Sequence, residues 1–300
     1  TFHYVLRLEL AKGMVIIMRN SFKGKVIVLL TALVSLLALP VSCMNINPRI
    51  IALGGGTIAM SDVGLGGDNP ASIAQAKSGL SVHHNNRFGF AGYEVMGGNL
   101  TLKTKIGTLG LGYDSEGISL LEERMGTDYE SFWGEQKCAL GYAGTIKEKV
   151  NLGVALLQNR QNVSSSFDDE TLMQKNSTLL NLGLQLNKEQ WGLGFALKNL
   201  QLGEKSDPDL GIGLRYGKAQ NLVALLDILK TVDPLGENQI IVSGGLEAWV
   251  RDNLALRISL DQAGMVAVGL GASSGKLYVD YAYQIHPVGN THYLTTGYLF

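Results

Sequence analysis

The stretch that decides the fold is Leu254-Ala-Leu-Arg-Ile-Ser-Leu-Asp261, read beside Leu277-Tyr-Val-Asp-Tyr-Ala-Tyr-Gln-Ile285. In the first, Leu254, Leu256, Ile258 and Leu260 share one face, while Ala255, Arg257, Ser259 and Asp261 share the other. A period of two is the signature of a β-strand with two different faces. The same period runs through Leu180-Leu182-Leu184-Leu186, Trp191-Leu193-Phe195-Leu197 and Val150-Leu152-Val154-Leu156. The second face carries Gly, Ala, Asn, Ser, Gln and scattered charges. A soluble sandwich or lipocalin-like barrel would place many Lys, Glu and Thr there. Small, mildly polar residues suit a crowded or hydrated lumen, with the apolar face turned to lipid. A closed sheet also satisfies every backbone N–H and C=O inside a bilayer.

Composition agrees. Of 300 residues 38 are Gly, 46% are hydrophobic and 17% are charged, with a net charge of −1. That balance gives no footprint for nucleic acid. Two Cys rule out a disulfide framework or a multi-Cys metal site. Residues 1–43 read as a non-native extension followed by a Sec signal peptide. Arg19, Lys23 and Lys25 form the basic region, and Val26–Leu39 an uncharged run too short for a membrane helix. Cleavage is expected near residue 43. Lipidation of Cys43 is the lesser alternative, because Pro40 stands where a lipoprotein signal has Leu. Residues 44–78 are Gly-rich and irregular, and 79–300 carry the strands.

Connections alternate short and long over much of the chain, with 262–264 as the exception. Fourteen strands are expected, from 79–86 to 291–300, with both termini on the periplasmic side. The aromatic Phe300 closes an amphipathic last strand and resembles the signal read by the barrel-assembly machinery. Trp133, Tyr142, Trp191, Tyr216, Tyr281 and Tyr298 are candidates for aromatic girdles.

Two segments resemble the FadL-type barrels, and especially their PorV/PorQ branch. One is IALGGGTIAMSDVGLGGDNPASIAQ, Ile51 to Gln75, with Gly54, Gly55, Gly56, Asp62 and the Asn69-Pro70-Ala71 motif. The other is the closing pair of strands, with Asp280-Tyr281-Ala282 followed by Gly289-Asn290-Thr291-His292. Ser72-Ile73 departs from the pattern, in which Leu follows the motif. The resemblance implies an all-β, antiparallel barrel of about 14 strands. Its N-terminal segment folds into the lumen as a plug, and Asn69-Pro70-Ala71 is the moving or gating part. It also implies a non-enzymatic bacterial outer-membrane protein acting in protein export or surface attachment, or in passage of a hydrophobic molecule. The alternatives are a FadL-like transporter of long-chain fatty acids or other hydrophobic compounds, and a sealed structural barrel. Expected partners are outer-membrane lipid, a hydrophobic small molecule or secretion-system proteins, and the assembly machinery. No cofactor is expected.

Other chemistry is thin. Gly54-Gly55-Gly56-Thr57 lacks the Lys and spacing of a phosphate loop. His83 and His84 point to opposite faces, so surface or loop histidines are expected rather than a metal pair. There is no Gly-x-Ser-x-Gly element. Inner-face charges (Glu135, Lys137, Lys198, Arg215, Glu247, Arg257, Asp261, Asp280) should pair across strands or with the plug. Asp168, Asp169 and Glu170 read as a solvated cluster, and Cys138 as inert on the apolar face. The inner faces look too small and polar for a large acyl pocket.

Overall fold

The computed structural model describes residues 47–55, 57–66, 68–89, 92–124, 127–165, 170–203, 207–218, 220–232, 237–262, 264–286 and 289–300. The expectations for the signal peptide, Cys43, Gly56, Asp168 and Asp169 lie outside these residues. Fourteen antiparallel strands close on themselves. They are β1 (Gly79–Asn86), β2 (Tyr93–Lys103), β3 (Thr108–Arg124), β4 (Thr127–Ile146), β5 (Val150–Ser165), β6 (Glu170–Asn187) and β7 (Trp191–Gln201). They continue as β8 (Asp209–Gly217), β9 (Leu222–Val232), β10 (Asn238–Arg251), β11 (Leu254–Asp261), β12 (Val266–Ser274), β13 (Leu277–Ile285) and β14 (Thr291–Leu299). Each strand pairs with its neighbours in sequence, and β1 closes on β14 from Gly79↔Leu299 to Asn86↔His292.

The apolar face points outward. Leu256, Ile258 and Leu260 are exposed while Ala255, Arg257 and Ser259 between them are buried. β9 (LVALLDILKTV) is apolar on both faces, yet it obeys the same parity. Val223, Leu225 and Asp227 face in, and Leu222, Leu226 and Ile228 face out. The inward Val223 and Leu225 join the interior core with Ile50, Leu53, Met60 and Val63.

The walls are unequal. β1, β8, β11, β12, β13 and β14 have 8 or 9 residues, near the 9–11 that a membrane crossing needs. β3 to β6 have 17, 20, 16 and 18. β2–β3 pairing ends at Tyr93↔Ile118, but β3 goes on pairing with β4 to Arg124↔Thr127. A four-stranded extension therefore projects about 20 Å past the β2 rim, at roughly 3.3 Å per residue. It lies at the end opposite the short turns 147–149, 252–253 and 275–276. Residues 160–165 and 170–175 are thus strand, although their mostly polar sequence shows no apolar alternation; the ladder there is held by backbone hydrogen bonds. Ahead of β2, Arg87–Gly89 makes a 3₁₀ turn with Phe88 at φ 56°.

Residues 47–78 pack against the inner faces. They form a short helix, α1 (Pro48–Ile51), and a 3₁₀ turn (Pro70–Gln75) begun by Pro70 and capped by Asn69. Inward glycines make room for them. A Cβ on Gly194 would sit 2.0 Å from the Ile58 carbonyl oxygen, and one on Gly153 would sit 2.3 Å from the Ala71 nitrogen. One on Gly269 would meet the Ala52 Cβ at 2.4 Å. The Gly-rich second face of the strands is therefore a docking surface for backbone.

Candidate functional site: the interior segment and its charge network

Asn69 is fully buried and makes contacts in several directions. Its Oδ1 accepts from the Ala71 N–H at 3.0 Å, as an N-cap does. Its amide nitrogen faces three carbonyls: Ile58 at 2.7 Å, Leu184 of β6 at 3.1 Å and Phe195 of β7 at 3.2 Å. Gly183 opens the wall there, since a Cβ would lie 1.9 Å from the Asn69 Oδ1. The Asn69-Pro70-Ala71 motif is thus bonded to the barrel wall itself. A few residues earlier the Ile58 N–H donates to the Asp227 carboxylate at 2.8 Å. Gln185 donates to the Ile58 and Met60 carbonyls, and Lys198 pairs with Asp68.

A second tie is ionic. Arg49 of α1 grips Glu247 of β10 through Nε at 2.8 Å and Nη2 at 2.9 Å. Arg257 of β11 donates to Glu247 at 2.7 Å and to Asp280 of β13 at 2.5 Å. Asp62, at φ 83°, lies 3.4 Å from Arg49. Desolvation opposes the charge on Arg49, but Asp62 and Glu247 hold the guanidinium above its ordinary pKa. Desolvation inside the barrel raises the Asp62 carboxyl, against the pull of Arg49. A bidentate Arg–carboxylate pair fixes direction as well as distance.

The predicted lumen charges therefore divide. Glu247, Arg257 and Asp280 come together. Arg215 stands apart and donates to the Gly217 and Lys188 carbonyls at 2.8 and 3.0 Å, closing a short turn. Asp261 caps its own turn by accepting from the Met265 N–H at 2.9 Å. Glu135 pairs with Lys137 beside Asn159 and Gln161. Gly54 and Gly55 have φ of 76° and 75°, a backbone that suits glycine, just after α1. The Phe300 N–H donates to the Ser78 carbonyl, holding the chain's two barrel ends together.

Two expectations are corrected. His83 is not a surface or loop histidine. It is buried on the inner face and reaches over Gly97 to Asp114 at 2.6 Å. Trp133 does not belong to an outer girdle. It shares the inward parity of Glu135 and meets Tyr93 edge-on at 6.4 Å. Sequence reading also missed Arg49, Asp68, Asp227 and Gln185. Asp227 left a signal, as the sole polar residue in the run Leu222–Leu229 of β9. Arg49 left none, since its partner lies 198 residues away. Among the described residues no cluster of His, Cys, Asp and Glu could hold a metal.

A cavity of about 420 Å³ lies at the short-turn end, between the segment and β1, β2, β10, β12 and β13. Asn47, Arg49, Asp62, Trp249, Tyr278 and Asp280 are on its walls.

The architecture is that of closed fourteen-strand barrels with an occupied interior. No family model matches this chain, and no curated protein matches it. Solved structures do. The toluene transporter TbuX of Ralstonia pickettii superposes with TM-score 0.62 at 12% identity, covering 87% of this chain and 99% of that one. The monoaromatic hydrocarbon channel CymD gives 0.61 at 12%, covering 86% and 99%. A Pseudomonas aeruginosa FadL homologue gives 0.55 at 10%, covering 87% and 100%. At these identities the likeness is one of fold.

Proposed function

We propose that this chain is an outer-membrane barrel of the FadL type that passes a small hydrophobic molecule, with residues 47–78 as its plug. The observation that carries this is the seat of the segment: inward glycines on β5, β6, β7 and β12 leave room for its backbone, inside a barrel whose outer face is apolar. Support comes also from the neighbours, which are described as channels and transporters for toluene and other monoaromatic hydrocarbons. The role needs no catalytic group. Within the plug, Asn69-Pro70-Ala71 acts as the anchor rather than the gate, because its bonds run to strand carbonyls. The moving part is α1, swinging on Gly54 and Gly55 when Arg49 lets go of Glu247.

The test is uptake. Cells lacking their own hydrocarbon channels, expressing this protein, should take up labelled toluene saturably and several-fold faster than control cells. Rates equal to the control would sink the proposal. The PorV/PorQ-type export role is favoured by one observation, the β3–β6 extension past the rim. A secretion-system protein co-purifying in stoichiometric amount, with no hydrocarbon uptake, would select it.

A further inference from the structure

The short-turn end carries a ring of positive charge. Fourteen strands leave seven gaps at that end, six short turns and the β1–β14 seam. At each turn stands an exposed cation: Lys105, Lys147, Lys188, Lys218, Arg251 and Lys276. At the seam Lys77, two residues ahead of β1, is exposed as well. Lys103 and Lys149 add to two of the turns, so nine cations face three acids, Glu148, Glu189 and Asp252, among the described residues of this end. Lys218 meets Glu189 at 3.2 Å in an exposed pair, a contact that water and salt weaken. Even with each acid paired to a cation, most of the cations remain.

The ring follows the outer wall rather than the lumen. Tyr142, Tyr216 and Tyr298 are exposed on the apolar outer face near this end, and Trp191 shares the outward parity of Phe195. The Lys188 Nζ lies 4.7 Å from the centre of the Trp191 ring, and the Lys276 Nζ 5.6 Å from that of Tyr298. An ammonium group over an outward aromatic face is held where the apolar wall gives way to water. Its aliphatic stem runs along the wall and its charge stays at the boundary.

We propose that this ring is a binding surface for anionic phospholipid headgroups in the leaflet around the short-turn end. The proposal rests on the reading of the chain as a membrane barrel. Two observations choose lipid over an acidic protein. The cations stand at all seven gaps of the perimeter, as a surrounding annulus requires, whereas a docked protein would cover one sector. The ring is also continuous with the apolar wall. A lipid whose chains lie against the exposed Leu222 or Leu277 has its phosphate beside Lys218 or Lys276. Clustered cations at a membrane surface select lipids of net negative charge, because their fields add.

The experiment reconstitutes the purified protein in phosphatidylcholine vesicles, with barrel closure checked by the heat-dependent gel shift. Electron paramagnetic resonance then compares how much spin-labelled phosphatidylglycerol and spin-labelled phosphatidylcholine the protein immobilises. The expected result is a preference of about threefold for phosphatidylglycerol at low salt, lost near roughly 1 M salt, where charges are screened within about 3 Å. Lys105→Gln, Lys147→Gln, Lys188→Gln, Lys218→Gln, Arg251→Gln and Lys276→Gln together should abolish the preference. Lys188→Gln with Lys276→Gln should give an intermediate value, which serves if the sixfold variant does not close. Lys175→Gln with Lys230→Gln, at the opposite end, should leave the preference unchanged. Equal immobilisation of the two lipids by the parent would overturn the proposal, as would a preference that the Gln variants retain in full. An acidic protein co-purifying with the parent alone, without lipid preference, would put a protein on the ring instead. Failure to enter vesicles at all would overturn the membrane reading and this proposal with it. Passage of a hydrophobic molecule is measured separately, by uptake.

Discussion

At the scale of single residues, the interior is held by few side chains with many bonds each. Glu247 is the clearest case, since it is 1% exposed and accepts from both Arg49 and Arg257. Replacing it with Gln leaves Arg257 its bond to Asp280 but Arg49 only the longer 3.4 Å contact with Asp62. Breaking a buried ion pair from one side costs about 3–5 kcal/mol. Glu247→Gln should therefore lower the urea midpoint of the folded barrel and expose α1 to protease, read by limited proteolysis. Asn69→Ala removes an N-cap and the amide that serves three carbonyls. The cap alone is worth about 1 kcal/mol, and the Ile58 carbonyl keeps its bond from Gln185, so the loss falls on the tie between the segment and β6 and β7. The variant should keep the slow gel mobility change on heating that marks a closed barrel, while its segment becomes digestible. A variant that resists protease as well as the parent would show that the Asn69 bonds do not hold the segment.

At the scale of elements, what was legible in the sequence follows from what each element faces. Strands such as β11 and β13 turn an exposed apolar face outward and face the segment on the other side, so their faces differ in chemistry and the period of two is plain. The upper halves of β3 to β6 rise past the apolar belt, and their polar residues showed no alternation. β9 hid its inner face because Val223 and Leu225 belong to the interior core. The N-terminal cap at Asn69 was readable, being local. The ion network was not, because it joins α1, β10, β11 and β13, which are brought together only when the sheet closes. The element most open to test is the Gly54–Gly55 joint. A Cβ on Gly54 would lie 3.4 Å from the Ser243 Cβ, close to the 3.5–4.5 Å of a disulfide. Gly54→Cys with Ser243→Cys should block toluene uptake when oxidised and restore it when reduced. Uptake unchanged by oxidation, with the cross-link confirmed by mass, would place the moving part elsewhere.

At the scale of the whole molecule, the order of the chain sets an order of events. The segment lies ahead of β1, and its bonds reach β6, β7, β9, β10 and β11. The seam that seals the cylinder is β1 against β14, the last strand made. A filling that touches the middle strands and is tethered to one lip of the seam has its partners on β6 to β11 made before the last strand is added. The segment then serves as a mandrel around which the sheet is rolled, and weak seating should show first as slow closure rather than as a weaker finished barrel. For Asn69→Ala this predicts a several-fold delay in the appearance of the heat-modifiable form in a pulse-labelled assembly assay. Wild-type timing would mean that the cylinder rolls up without its core.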